Sequence, residues 1–222
     1  MRLVLATNNP GKLSELAALF APLGLELVAQ GALAIGEAEE PHATFVENAL
    51  AKARHAAAAA RGPAIADDSG LCVDALAGAP GVASAHFAAI ERKDGEDRES
   101  FRRRQDGANN ARLLELMRGE RDRSAHFVAT LVALRSHDDP EPLIAVARWP
   151  GELLDTPRGE GGFGYDPLLL LPSLGRTVAE LDAESKNEIS HRAQAAQRMR
   201  VLLQDSWQLD LPSSAERGAG TR

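Results

Sequence analysis

Ala64-Ile65-Ala66-Asp67-Asp68-Ser69-Gly70 sets two adjacent carboxylates, a hydroxyl and a glycine behind three small or apolar residues. The first three predict a short buried strand, and a strand alternates its side chains between faces. Asp67 and Asp68 therefore cannot both face the same way while the chain stays extended. One carboxylate can enter a cleft at the strand end, while the other braces the turn behind it. Gly70 offers the freedom that a sharp turn needs. Such a carboxylate can hold a hard cation such as Mg2+, or take a proton from water. Taken alone, the same residues also spell an Asp-rich β-turn, so the flanking chain has to decide.

Upstream, Thr44-Phe45-Val46-Glu47 is a capping-box pattern heading a helix that continues to about Ala60. Phe45, Ala49, Leu50 and Ala53 form its apolar stripe. Asn48 and Lys52 lie one turn apart on another face, directed either to solvent or together into a cleft. The acidic loop Gly36-Glu37-Ala38-Glu39-Glu40-Pro41 precedes this helix. At the start of the chain, Leu3 to Ala6 suits a central strand, and Thr7-Asn8-Asn9-Pro10-Gly11-Lys12 follows. An Asn that can cap and Pro10 at the first helical position mark a helix start. Leu13, Leu16, Ala17, Leu19 and Phe20 continue at helical spacing, Gly24 marks the end, and Leu25 to Val28 reads as the next strand. A strand, polar loop and helix in this order aim backbone N–H groups at an anion, and Lys12 adds a full charge. The loop is not a Walker A motif, because Leu13 follows Gly11-Lys12 and Ala6 stands where the upstream glycine belongs.

Downstream, Leu71 to Leu76 reads as a further strand or a continuation of the first, and Gly78-Ala79-Pro80-Gly81 as a rigid loop. The dense mixture of charges from Glu91 to Arg104 predicts an exposed loop or a helix start, with helical periodicity from Asn109 to Met117. Residues 125–134 and 143–149 are β-rich runs joined through Ser136-His137-Asp138-Asp139-Pro140, a long antiparallel hairpin. His126 and His137 have no partners at ligand spacing, so no metal is assigned to them. Gly159-Glu160-Gly161-Gly162-Phe163-Gly164-Tyr165-Asp166-Pro167 holds four glycines and the single tyrosine of the chain. Glycines permit close backbone approach to a ligand, and an aromatic ring can stack on a nucleobase. Thr177 to Glu180 is another capping box. Ser190 can cap a last helix reaching about Leu203, with His191 and Arg192 in its first turn. Cations are unfavourable beside the positive end of a helix, which a nearby ligand would explain.

The chain has 222 residues, 44% hydrophobic and 26% charged, in keeping with one α/β domain that buries a substantial core. A formal charge of −7 argues against a binder of nucleic-acid polymers, though not against a nucleotide site served by a few local cations. The single Cys72 excludes an internal disulfide, reads as a small core residue, and makes a reducing cytoplasm the default compartment. No apolar run approaches a membrane span and no signal peptide is visible. The domain is expected over residues 1–204, with a largely disordered tail over 205–222.

In this order, the segments resemble the inosine triphosphate pyrophosphatase family over roughly residues 2–203. The resemblance rests on Thr7 to Lys12, Thr44 to Ala49, Ala66 to Leu71, Gly78 to Gly81, Gly161 to Pro167, and Lys186 with Ser190-His191-Arg192. It implies an elongated single α/β domain around a long curved mixed sheet with flanking helices, assembled as a homodimer. It also implies Mg2+-dependent cleavage of inosine and xanthosine triphosphates to monophosphate and pyrophosphate. Carried over, Thr7, Asn8, Asn9, Pro10, Gly11 and Lys12 would hold the triphosphate, and Glu40 and Asp68 the metal. Asp68 would also take the proton of the attacking water, with Ser69 touching substrate. Phe163, Gly164, Tyr165, Asp166, Lys186, His191 and Arg192 would bind the nucleoside. Two departures stand out. Ala85-His86-Phe87 replaces the family's arginine-aromatic pair, and the charged segment near 91–108 is longer than usual.

Overall fold

The computed structural model describes residues 2–21 and 25–208. The chain runs β1 (Arg2–Leu5), α1 (Pro10–Phe20), β2 (Glu26–Ala29), α2 (Phe45–Ala60), β3 (Ala64–Val73), α3 (Arg98–Leu116) and β4 (Ser124–Leu134). It continues through β5 (Leu143–Leu153), β6 (Leu169–Leu171), β7 (Arg176–Thr177), α4 (Ala183–Ile189) and α5 (His191–Trp207). The strands form one mixed sheet in the order β2-β1-β3-β4-β5-β6-β7. β1 is parallel to both β2 and β3, and the later pairs are antiparallel.

Local sequence accounts for most of this. Asn9 caps α1 by accepting from the Lys12 N–H at 3.2 Å, and Pro10 fills the first helical position, where a missing N–H costs nothing. The expected helix end at Gly24 lies outside the described residues. Thr44 caps α2, whose alanines 49, 53, 56 and 57 are buried against Val4, Ala64, Ala66 and Val132. Small side chains on both sides let helix and sheet approach closely. On the opposite face, Leu16 and Phe20 of α1 join Ala195, Ala196, Met199 and Leu203 of α5 over Leu3, Leu5, Ile65 and Leu131. β4 lies between these two layers and is buried along nearly its whole length. β5 instead alternates, with Leu143, Ala145, Ala147 and Trp149 inward and Ile144 and Val146 exposed. A third apolar cluster gathers Leu71, Val73, Leu113, Met117, Phe127, Trp149, Tyr165 and Leu168 at the far end of the sheet.

The decisive stretch differs from expectation. Asp67-Asp68-Ser69-Gly70 is not a turn; β3 passes through it without a break, paired residue for residue with β4 from Ala64 opposite Leu134 to Val73 opposite Ala125. Asp68 therefore stands in mid-strand and not at a strand end. Gly70 is needed for space: a Cβ there would lie 2.4 Å from Ser84 Oγ and 2.5 Å from the Gly81 carbonyl. The short 3-10 segment Gly81–His86 crosses β3 at this point, and Ser84 Oγ accepts the Leu71 N–H at 2.9 Å.

Of the two readings of the charged stretch from Glu91 to Arg104, the helix start holds: α3 begins at Arg98, capped by Asp97, about three turns before Asn109. Two further expectations shift. The last helix passes Leu203 and ends at Trp207, which packs on the α1–α5 cluster and carries Arg135 above its ring, so residues 205–207 are helix and not tail. Residues 209–222 lie outside the described residues. Cys72 is only half-buried and not a core residue, and burial pushes its thiol pKa up.

Candidate active site

Along the α1–α5 face of β3, Ile65 belongs to one apolar cluster and Leu71 to another, and Asp67 and Ser69 fill the gap between them. Asp67 is completely buried. Its Oδ2 lies 2.9 Å from Lys12 Nζ, accepts the Ser69 hydroxyl at 2.9 Å and faces Arg192 Nε at 3.5 Å. Burial pulls its pKa up, but Lys12 and Arg192 outweigh that and hold it well below the usual carboxylate range. Burial in turn lowers the Lys12 pKa by more than Asp67 restores. Asp67 thus fixes the lysine of the first loop and the start of α5.

Strand alternation sends Asp68 to the other face. Its Oδ1 takes Lys52 Nζ at 2.8 Å, and the same ammonium reaches Glu40 Oε2 at 3.1 Å. Asp68 Oδ2 is buried without a hydrogen-bond partner. Burial raises the Asp68 pKa, and Lys52 and Lys12 only partly offset it. Burial would lower Lys52, but Asp68 and Glu40 outweigh it and keep the ammonium charged. Asp68 is therefore a carboxylate of raised basicity with one oxygen committed and one left over.

The other end of the site is built on Glu15 of α1. Its two oxygens take Lys186 Nζ at 2.6 Å and Arg192 Nη1 at 2.8 Å. Lys186 also meets Asp166 Oδ2 at 2.7 Å, and that oxygen accepts the Phe163 N–H at 3.0 Å. Gly162 is at φ +74, and a Cβ there would sit 2.0 Å from the same oxygen, so only glycine fits. The Phe163 ring lies against Gly11, with Lys186 Nζ 4.7 Å and Arg192 Cζ 5.3 Å from its centroid. Ser190 caps α5. His191 is buried and stacks on Phe127 at 4.9 Å, and burial, with Arg192 beside it, drives its pKa well below the ordinary value. A neutral imidazole carries no penalty at the positive helix end. Arg192 is compensated by Glu15 and Asp67 and donates to Ser69 Oγ at 2.7 Å. The unfavourable cation expected in this turn is thus answered by carboxylates of the chain itself.

Of the residues that the sequence assigns to metal or substrate, all but Pro10, Gly11 and Lys186 line one cleft of about 960 Å³. Gly11 backs the Phe163 ring and Lys186 lies beneath it. Tyr165 is among the lining residues, while its hydroxyl donates to the Ser84 carbonyl at 3.0 Å. Sequence reasoning missed Glu15 and left Lys52 open between solvent and cleft. Lys52 enters the cleft but Asn48, one turn before it, does not: its amide exchanges hydrogen bonds with the His42 backbone at 3.0 and 3.1 Å. Glu15 carried no usable sign, since a charge three residues after Lys12 looks like the wet side of a helix.

Comparison with known proteins agrees with this picture. The Ham1 family model matches residues 3–202. A Leptothrix cholodnii protein named dITP/XTP pyrophosphatase is 64% identical over 211 residues, covering 94% of this chain and 100% of the relative. One of the same name from Ralstonia nicotianae is 59% identical over 194 residues, 87% of this chain and 92% of the relative. The structure of a HAM1 protein from Coxiella burnetii superimposes with a TM-score of 0.81 at 39% identity, over 93% of this chain and 100% of that one. With the family model spanning nearly the whole described chain, the protein belongs to the Ham1 family.

Proposed function

We propose that this protein hydrolyses inosine- and xanthosine-type purine nucleoside triphosphates to the monophosphate and pyrophosphate in this cleft. The observation that carries the reading is Asp68, a buried carboxylate with one oxygen on Lys52 and the other unpartnered, facing a cleft rich in cations. The name shared by the bacterial relatives, dITP/XTP pyrophosphatase, supports the substrate class. Cleavage of a phosphoric anhydride needs neutralised phosphate charge and an activated water. Lys12 and Lys52 supply positive charge, and the raised basicity of Asp68 suits it to take the water's proton. Phe163 would offer a ring face for a base, and Arg192 and His191, which line the same cleft, would offer polar groups to its edge.

Glu40 and Asp68, joined through Lys52, fit Mg2+, which takes one or two carboxylates and completes its shell with water and substrate phosphates. Bound there, the ion would draw charge from the scissile phosphates. On this reading Glu40→Gln raises the Mg2+ concentration for half activity, while the neighbouring Glu39→Gln does not. Identical Mg2+ titrations for the two variants would return Glu40 to the solvated surface. The exposed Ile144 and Val146 on β5 support a homodimer, which sedimentation would report as twice the chain mass. We place the enzyme in the cytoplasm on its single cysteine.

Discrimination follows from the edge of the base. Stacking cannot choose among purines. Inosine and xanthosine present an acceptor oxygen at position 6, whereas adenosine presents an amino donor. Donors from Arg192, His191 or loop N–H groups would face another donor with ATP, and each buried unmatched group costs ~1–3 kcal/mol. The expected result is a kcat/KM for ITP and XTP at least roughly tenfold above that for ATP. Equal values would overturn this account of the base pocket.

A further inference from the structure

Helix α3 places Arg98, Arg102, Asp106 and Asn110 at intervals of four, on one face. Each meets the rim of the cleft. Arg98 pairs with Glu37 of the acidic loop, and Arg102 Nη1 donates to Asn9 Oδ1 at 3.1 Å. Asp106 Oδ2 accepts the Gly164 N–H at 3.0 Å, and Asn110 Nδ2 donates to the Gly164 carbonyl at 3.0 Å. The same helix is pinned behind by buried Gln105 and Asn109, which bond to the carbonyls of Ala88, Ser84 and Ala85. The long charged segment therefore folds as a fixed wall joining the phosphate loop to the glycine-rich loop.

On that wall Arg102 differs electrostatically from Lys12, Lys52 and Arg192 of the same cleft. Lys12 is paired with Asp67, Lys52 with Glu40 and Asp68, and Arg192 with Glu15 and Asp67. The Arg102 hydrogen bond goes to a neutral amide oxygen, which already serves the α1 cap through the Lys12 N–H. Two carboxylates feel its charge, Glu37 and Asp106, and each has its own partner, Arg98 and the Gly164 N–H. Arg102 thus brings positive charge to the mouth of the first loop with little of it spent. A guanidinium also presents paired N–H groups that match phosphate oxygens.

We infer that Arg102 is a further phosphate-binding residue, reaching from α3 to the triphosphate held at the Thr7–Lys12 loop. The inference rests on the proposed function for its substrate, and its binding measurements do not depend on turnover. Calorimetry on the full-length protein measures the affinity for tripolyphosphate, a probe with no base or sugar, and for inosine, which has no phosphate. Arg102→Ala should weaken tripolyphosphate binding at least roughly tenfold, as expected for a lost charge-assisted bond, raise the KM for ITP and leave inosine unchanged. Arg102→Lys should recover most of the affinity and Arg102→Gln little. Tripolyphosphate affinity unchanged in Arg102→Ala, rescue by Gln as complete as by Lys, or no binding by the wild type would each overturn the assignment. The first two would leave Arg102 as a neutral prop for Asn9. A wild type that binds tripolyphosphate through Arg102 but releases no pyrophosphate from ITP would instead refute the enzymatic reading alone.

Discussion

Replacing Asp68 by Asn lowers kcat for ITP hydrolysis by about 10²–10⁴-fold and leaves the protein folded. The amide keeps the size and planarity of the carboxylate but takes no proton from water. It also removes half of the charge that Glu40 and Asp68 present to Lys52 and to a bound cation. The fold tolerates the change because Lys52 retains Glu40, and because β3 and β4 pair through their backbones on both sides of the position. Steady-state rates on purified protein with an unchanged circular dichroism spectrum decide the matter. Turnover within a fewfold of wild type would remove Asp68 from the chemistry.

The second large effect concerns stability. Glu15→Ala takes away the carboxylate shared by Lys186 and Arg192, two cations buried at the junction of α1 with α5 and the glycine-rich loop. Lys186 is left with Asp166, and Arg192 with Asp67 and Ser69. Removing one partner from a buried ion pair costs about 3–5 kcal/mol, which in a chain of this size is a fall in Tm on the order of 10 °C. The effect has a defined pH dependence. Burial raises the Glu15 pKa, but Arg192 and Lys186 outweigh it and hold it below its ordinary 4.5. A carboxyl whose folded-state pKa is depressed stabilises fully above the unfolded value and loses that contribution as pH falls below it. The Tm difference between wild type and variant should therefore be complete near neutrality and shrink below about pH 4.5. A variant melting within about 2 °C of wild type at neutral pH would contradict the central place given to Glu15.

The parts legible in the sequence are those in which local chemistry and tertiary role coincide. Asn9 and Pro10 start a helix whether or not a ligand is present, and Thr44 and Ser190 cap theirs. Gly162 marks a position where no side chain fits. The illegible parts depend on contacts between distant segments. Gly70 looks like a turn former, but its small size serves the crossing of Ser84, a contact 14 positions away that no local pattern encodes. Glu15, Lys52 and Arg102 each sit in a helix among polar neighbours and look solvated. Only the packing of α1 against α4 and α5, of α2 against β3, and of α3 across the cleft turns them inward. The charged stretch that starts α3 reads as loop or helix start for the same reason. Its charges have no apolar periodicity because much of that face meets other polar loops.

The central claim is tested most directly by the phosphorus product of a single reaction. Incubating the protein with ITP and Mg2+ and resolving the products by phosphorus NMR should give inosine monophosphate and pyrophosphate in equal amounts, with no orthophosphate in the first turnovers. Inosine diphosphate with orthophosphate, or ITP left intact, would contradict it.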